Sequence, residues 1–159
     1  MDGTDFHIYE PTPFNRKWYS HKFKGPGVRY EIGLCIQTGD IVWVNGPFPC
    51  GAYPDGKIAT QEGLEDCLDD CERYVCDGGY YGPRAEKPNG LNNADQYMKK
   101  VVRARHETVN RRFKQFRILE QVFRHRLTRH GIVFWAVANL TQLAIDDGLP
   151  LFQVQYDDR

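Results

Sequence analysis

Residues 28–37, VRYEIGLCIQ, alternate without a break. Val28, Tyr30, Ile32, Leu34 and Ile36 fall on one side, and Arg29, Glu31, Gly33, Cys35 and Gln37 on the other. Successive side chains of a strand point to opposite faces, so the pattern predicts a strand with one buried and one wet face. TGD at 38–40 supplies a turn. IVWVNG at 41–46, rich in β-branched and aromatic residues, returns as the hairpin partner. The chain is thereby committed to a sheet, and every other element has to be fitted around this hairpin.

DGTDFHIY at 2–9 reads as a further strand, separated from the hairpin by the Pro- and Gly-rich stretch EPTPFNRKWYSHKFKGPG. A structureless loop of that length in a compact domain is usually functional. PFPCGAYPD then ends the sheet segment. Asp55 is placed to N-cap a helix running to about Asp70, with Ile58, Leu64, Leu68 and Cys71 inward and acids outward. RYVC at 73–76 is a short buried strand that delivers Asp77 at its C-terminal end. DGGYYGPRAEKPNGLNN is loop, with at most one very short strand near 84–87.

A long helix begins at about Ala94, and Val102, His106, Val109, Phe113 and Phe116 form its buried stripe. His106, inside that stripe, reads as a packed core histidine. A last helix over 131–146 is apolar nearly all round, hence buried, and stops before Gly148 and Pro150. Three strands, a helix, a strand and two helices in that order predict the α/β class, a mixed sheet covered by helices.

The 159 residues suit one domain with a real core. The longest apolar run, Ile132 to Ala138, is far too short to cross a bilayer, so no membrane is expected. The first residues are neither basic nor apolar, which predicts an intracellular chain without a signal peptide. Five cysteines make no even framework and fit a reducing compartment. Cys67 and Cys71 lie one helical turn apart, yet no CxxC knuckle or nearby histidine completes a zinc site, so both are expected to be buried thiols.

A net charge of zero hides an asymmetry. Residues 55–77 carry eight acids against two bases, and residues 99–129 eleven bases against two acids, a local charge of +9. The loop before the hairpin adds Arg16, Lys17, Lys22, Lys24 and Arg29. Such a surface fits a polyanion. No element is left over to read base edges, so duplex DNA would be bound weakly and with little sequence preference.

Within RARHETVNRRFKQF, 103–116, Glu107 is the only acid. Arg103, Glu107 and Lys114, four and seven residues apart, share a helix face, with Asn110 between them. Glu107 is there either an ion-pair partner or a hard oxygen ligand held ionised by its neighbours, with Arg103 and Lys114 able to reach phosphates. Asp2 opens the first strand and Asp77 closes the fourth, and sites of open α/β sheets form at strand ends. Acids converging there would repel one another unless Mg²⁺ or Mn²⁺ neutralised them, and two such ions suit phosphoryl displacement.

DGTDFHI, WYSHKFKGPGVRYEIGLCIQTGDIVWVNGPFP, AYPD, CDGGY and RARHETVNRRFKQFRIL, in this order over nearly the whole chain, resemble the DDE superfamily endonuclease domain of Harbinger-type transposases. The resemblance implies a ribonuclease H-like fold and a metal-binding catalytic triad of Asp2, Asp77 and Glu107. Arg103, Glu107 and Lys114 also match the last three letters of the YREK signature of related insertion-sequence transposases. Lys100 stands where the tyrosine should be, and Tyr97 is one turn earlier. Asp5 is an alternative to Asp2 on the opposite strand face, although the family pattern puts the ligand in DGT. Asp55 is a second-sphere acid or a plain helix cap, and Asn110 is a further second-sphere group.

The function implied is a metal-dependent DNA endonuclease or strand-transfer domain. Arg103, Lys114, Arg111, Lys22 and Lys24 would meet the DNA. A nuclear location, a Myb-like partner protein and a homo-oligomer are further implications. The chain begins one residue before Asp2 and holds no helix-turn-helix or zinc finger. The expectation is thus one N-terminally truncated catalytic domain at 1–159 without a separate DNA-binding domain. The alternative is a catalytically idle domesticated domain that binds nucleic acid or protein.

Overall fold

A computed structural model of the chain describes residues 1–87 and 93–154. Its elements are β1 (Asp2–His7), β2 (Tyr19–Ser20), β3 (Gly25–Leu34), β4 (Ile41–Pro49), α1 (Asp55–Gln61), α2 (Leu64–Cys67), β5 (Tyr74–Val75), β6 (Ala85–Glu86), α3 (Asn93–Gln115), α4 (Arg117–Glu120) and α5 (Thr128–Asp146). The fold is mixed α/β. The predicted loop before α3 lies partly at 88–92, outside the described residues.

The hairpin forms the middle of the sheet. β3 pairs antiparallel with β1 on one side, from Asp2 opposite Ile32 to His7 opposite Gly27, and with β4 on the other. β2 pairs with the start of β3. Being central, β3 is buried on both faces, not half-buried: Arg29, Glu31 and Gly33 are as enclosed as Val28, Tyr30 and Ile32. β4 runs on to Pro49, past the expected end at residue 46, because an edge strand tolerates prolines that cannot donate to a ladder. β5 and β6 pair parallel in a separate two-stranded sheet, so the main sheet is antiparallel throughout and not the mixed sheet expected from the element order. The Met1 nitrogen donates to the Val75 carbonyl at 2.7 Å, which sets β5 beside the start of β1.

Helices cover both sides. α3 and α5 lie over Val28, Tyr30 and Ile32, where Phe6, Ile8, Val109, Phe113, Phe134, Val137 and Ala138 complete the main core. Phe134 stacks on Tyr30 at a ring distance of 3.8 Å and meets Phe6 and Phe113 at 5.2 Å each. The opposite side holds a smaller cluster of Ala59, Leu64, Tyr74, Cys76 and Tyr80 against Trp43 and Leu68.

Three further expectations are corrected. The helix from Asp55 does not reach Asp70: it stops at Gln61, Gly63 turns left-handed at φ 96°, and α2 adds one turn. Like charges four apart, at 62/66, 65/69 and 66/70, disfavour a longer helix there. Without it, Cys67 and Cys71 are exposed, not buried. The last helix is also not buried all round, for one whole side of α5 faces solvent. Val102, His106, Val109 and Phe113 do form the buried stripe of α3, as their spacing predicts, but Phe116 lies past the helix end at Gln115 and is half-buried.

Phe134→Ala should lower unfolding free energy by about 3–5 kcal/mol, the usual effect of emptying an aromatic site in a core. Urea denaturation measures this, and a loss under about 1 kcal/mol would mean that the ring stack on Tyr30 is not the centre of the core.

Candidate active site

Asp2, Asp55 and Asp77 come from three separate elements to one region at the start of β1. Asp2 opens β1, and one of its oxygens accepts from the Asn110 amide of α3 at 2.8 Å. Asp77 follows β5 and accepts from the Gly79 backbone N–H at 2.8 Å. Asp55 is the first residue of α1 and not its expected N-cap, which is Pro54, and its carboxylate stands 3.2 Å from the Arg29 guanidinium instead of capping the helix. Gly79 borders two of them: a Cβ there would lie 3.2 Å from an Asp77 oxygen and 3.5 Å from an Asp55 oxygen. The Gly79 carbonyl also accepts from the Gly56 N–H at 3.2 Å, tying the Asp77 turn to α1.

Gly3 explains why this close approach is possible. A Cβ at that position would overlap the Asp55 carboxylate, so only glycine lets α1 press its acid against the β1 backbone. The Gly3 carbonyl accepts from Lys22 Nζ at 2.6 Å, which brings a cation from the loop to the cluster.

Burial dominates the electrostatics. It raises Asp2 and Asp55 above the usual carboxylate range, despite Lys22 beside Asp2 and Arg29 beside Asp55, and Asp77 pushes both further up. Asp5 behaves oppositely. Burial acts against its charge, but Arg29 at 2.7 and 3.1 Å and the Ser20 hydroxyl at 2.5 Å hold it below the usual range. Its oxygens are committed to these partners, so Asp5 braces the sheet and Asp2 is the acid beside Asp77.

The face of α3 predicted from spacing does flank the cluster. Arg103 lies 4.0 Å from Asp77, and Asn110 bonds Asp2. Glu107 sits between them in sequence, exposed, with no hydrogen bond or ion pair among the described residues. Lys114 lies farther along, its Nζ 5.9 Å from the Phe6 ring, and Arg111 is exposed. Lys22 and Lys24 are exposed in the loop. Among the described residues, no three His, Cys, Asp or Glu side chains are grouped closely enough to hold one ion. In donor chemistry the acids fit a hard divalent cation: they are mutually repelling carboxylates, Asp2 and Asp55 largely buried and Asp77 half-exposed at the rim, although Asp55 Oδ1 is already paired with Arg29.

Two buried groups carry no signal in the sequence. Glu31, opposite Gly3 on β3, is fully enclosed, with one oxygen accepting from Trp43 at 2.9 Å and the Tyr80 hydroxyl beside the carboxyl. Burial pushes its carboxyl up to about 7. The Tyr80 hydroxyl, beside that Glu31 carboxyl, is likewise buried and is pushed well up by burial. On an alternating strand Glu31 would be read as a surface group, because only α1, α2 and the 77–80 turn, which carries Tyr80, close that side.

The raised Glu31 stabilises the fold only while it is protonated. Its contribution is complete below the unfolded value near 4.5 and is lost as pH rises through about 7. Asp5 gives the reverse dependence, lost as pH falls through its lowered value. Glu31→Gln should therefore raise stability at pH 8 by up to about 3 kcal/mol and have little effect near pH 4. Urea titrations at both values check this; an equal effect at the two would show that Glu31 does not titrate with folding.

No family model, curated protein or solved structure matches this chain, so no relative supplies a function for the cluster.

Proposed function

We propose that this chain is a divalent-metal-dependent nuclease domain of the DDE type, with a ribonuclease H-like arrangement of its sheet and helices, acting on DNA phosphodiesters. The observation that carries the reading is the gathering of Asp2, Asp55 and Asp77 from three elements, at an energetic penalty visible in the raised Asp2 and Asp55. Carboxylates from separate elements that repel one another, with only Asp55 closely ion-paired, fit a site that expects a cation.

Asp2, Asp77 and Glu107 would hold Mg²⁺ or Mn²⁺, whose chemistry is to activate water and neutralise phosphate charge. Glu107 suits a third ligand because it is uncommitted on the face whose neighbours contact both aspartates. Asn110 orients Asp2 by its amide bond. Arg103 and Lys22 bring positive charge to the rim, where a phosphate would lie, and Lys114, Arg111 and Lys24 extend it. The spread of the acids favours a second reading, a metal-free module that binds nucleic acid, since no three of them close around one ion as placed.

Nicking of supercoiled DNA in Mn²⁺ or Mg²⁺ tests the proposal. Asp2→Asn and Asp77→Asn should each lose about a hundredfold or more, and Mn²⁺ should raise the Tm of the parent chain but not of these variants. Glu107→Gln beside Asp55→Asn identifies the third ligand by which loses more. Nicking that survives both aspartate changes would sink the assignment. DNA binding without nicking or a Tm shift would leave the binding module.

The cationic surface is smaller than the sequence count implies. Lys99 is buried against Glu86 at 3.1 Å, Arg105 donates to the carbonyls of Cys35, Ile36 and Phe152, and Arg112 to those of Leu149 and Pro150. Arg103→Ala and Lys114→Ala should each reduce the salt slope of duplex binding by about 0.9. Arg105→Ala should lower Tm and leave that slope unchanged. Equal slopes for all three would mean that the α3 face does not meet the DNA backbone.

A further inference from the structure

The outer side of α5 is an apolar stripe with a symmetry of its own. Ile132, Trp135, Ala136, Leu140 and Leu143 are exposed and lie opposite the buried row of His130, Phe134, Val137, Ala138, Thr141 and Ile145. The four large side chains keep 72, 46, 52 and 60 % of their surface in water among the described residues. Contiguous exposed apolar surface of this kind marks an interaction site.

The spacing identifies the occupant. A two-fold axis crossing the helix between Val137 and Ala138 sets Ile132 opposite Leu143 of a second copy. It also sets Trp135 opposite Leu140, and Ala136 opposite Asn139. The same axis brings Arg129, near the helix start, to Asp146 at its end. Both are exposed on the stripe, and Arg129 has no side-chain partner among the described residues. Asp146 accepts only from Gln142 of its own helix, at 2.8 Å, leaving an oxygen free. An isologous contact requires a patch complementary to itself, and this stripe is so in shape class and in charge. Ala136, small and near the axis, permits close approach of the two helices. A parallel pairing would set Arg129 against Arg129 and Asp146 against Asp146, so the charges select the antiparallel one.

We propose that the chain forms a two-fold homodimer through antiparallel packing of α5 on α5, with reciprocal Arg129–Asp146 ion pairs closing both ends of an apolar seam. It does not depend on the nuclease reading, since the buried side of α5, not this one, belongs to the domain core.

Sedimentation equilibrium of the full chain from low to high micromolar concentration is the test. The expected result is reversible association to twice 18.5 kDa. Arg129→Asp and Asp146→Arg should each raise the dimer Kd roughly tenfold, because each replaces two ion pairs by two like-charge contacts, and the double reversal should restore it. Both changes favour the helix dipole, so misfolding does not explain a loss. Trp135→Lys with Leu140→Lys should give a monomer with unchanged circular dichroism. A parent chain that stays monomeric throughout, a dimer that survives the Trp135 and Leu140 changes, or a double reversal that fails to restore association would each overturn the proposal.

Discussion

One buried guanidinium holds the region together. Arg29, at the centre of β3, donates to Asp5 of β1 and lies 3.2 Å from Asp55 of α1, so a single side chain joins two strands and the helix that covers them. Burial works against its charge, but the two carboxylates overcome this and keep Arg29 firmly protonated. Removing one partner of such a buried set typically costs about 3–5 kcal/mol, since it strands a charge away from water. Asp55 can press against Gly3 only because Arg29 receives it there. The acidic cluster is thus built on an ion-paired floor.

That floor separates the acids by role. Asp5 is satisfied, lowered and structural, whereas Asp2 and Asp55 are raised and incompletely neutralised. The same division runs through the cations. Arg105 and Arg112 are consumed by carbonyls near the C-terminal strap at 149–152, while Arg103 and Lys114 stay exposed on the face of α3 beside the acids. A local charge of +9 overstates what a polyanion would meet, because guanidinium groups are also the natural donors for bundling loop carbonyls.

Helix α5 joins two demands in one sequence. Its inner row completes the aromatic core through Phe134 and His130, the latter within hydrogen-bond reach of the Tyr30 hydroxyl at 2.7 Å. Its outer row is equally apolar but lies in solvent. A helix that is hydrophobic all round is ordinarily buried on all sides. Here the domain supplies cover for one side alone.

The sequence by itself determined what depends on local period and local chemistry. The alternation of 28–36 set the hairpin, the spacing of Val102, His106, Val109 and Phe113 set the buried row of α3, and the 103/107/110 spacing set the face beside Asp2 and Asp77. Only the tertiary structure decided which strand face was wet. Arg29 and Glu31 look solvent-facing on a two-residue period, yet α1 and the Asp77 turn close over them. It also decided that Asp55 joins Asp2 and Asp77, that Cys67 and Cys71 are exposed, and that half of α5 is uncovered. Period reports which residues share a face, whereas burial depends on what else the chain brings to that face, and those neighbours are distant in sequence.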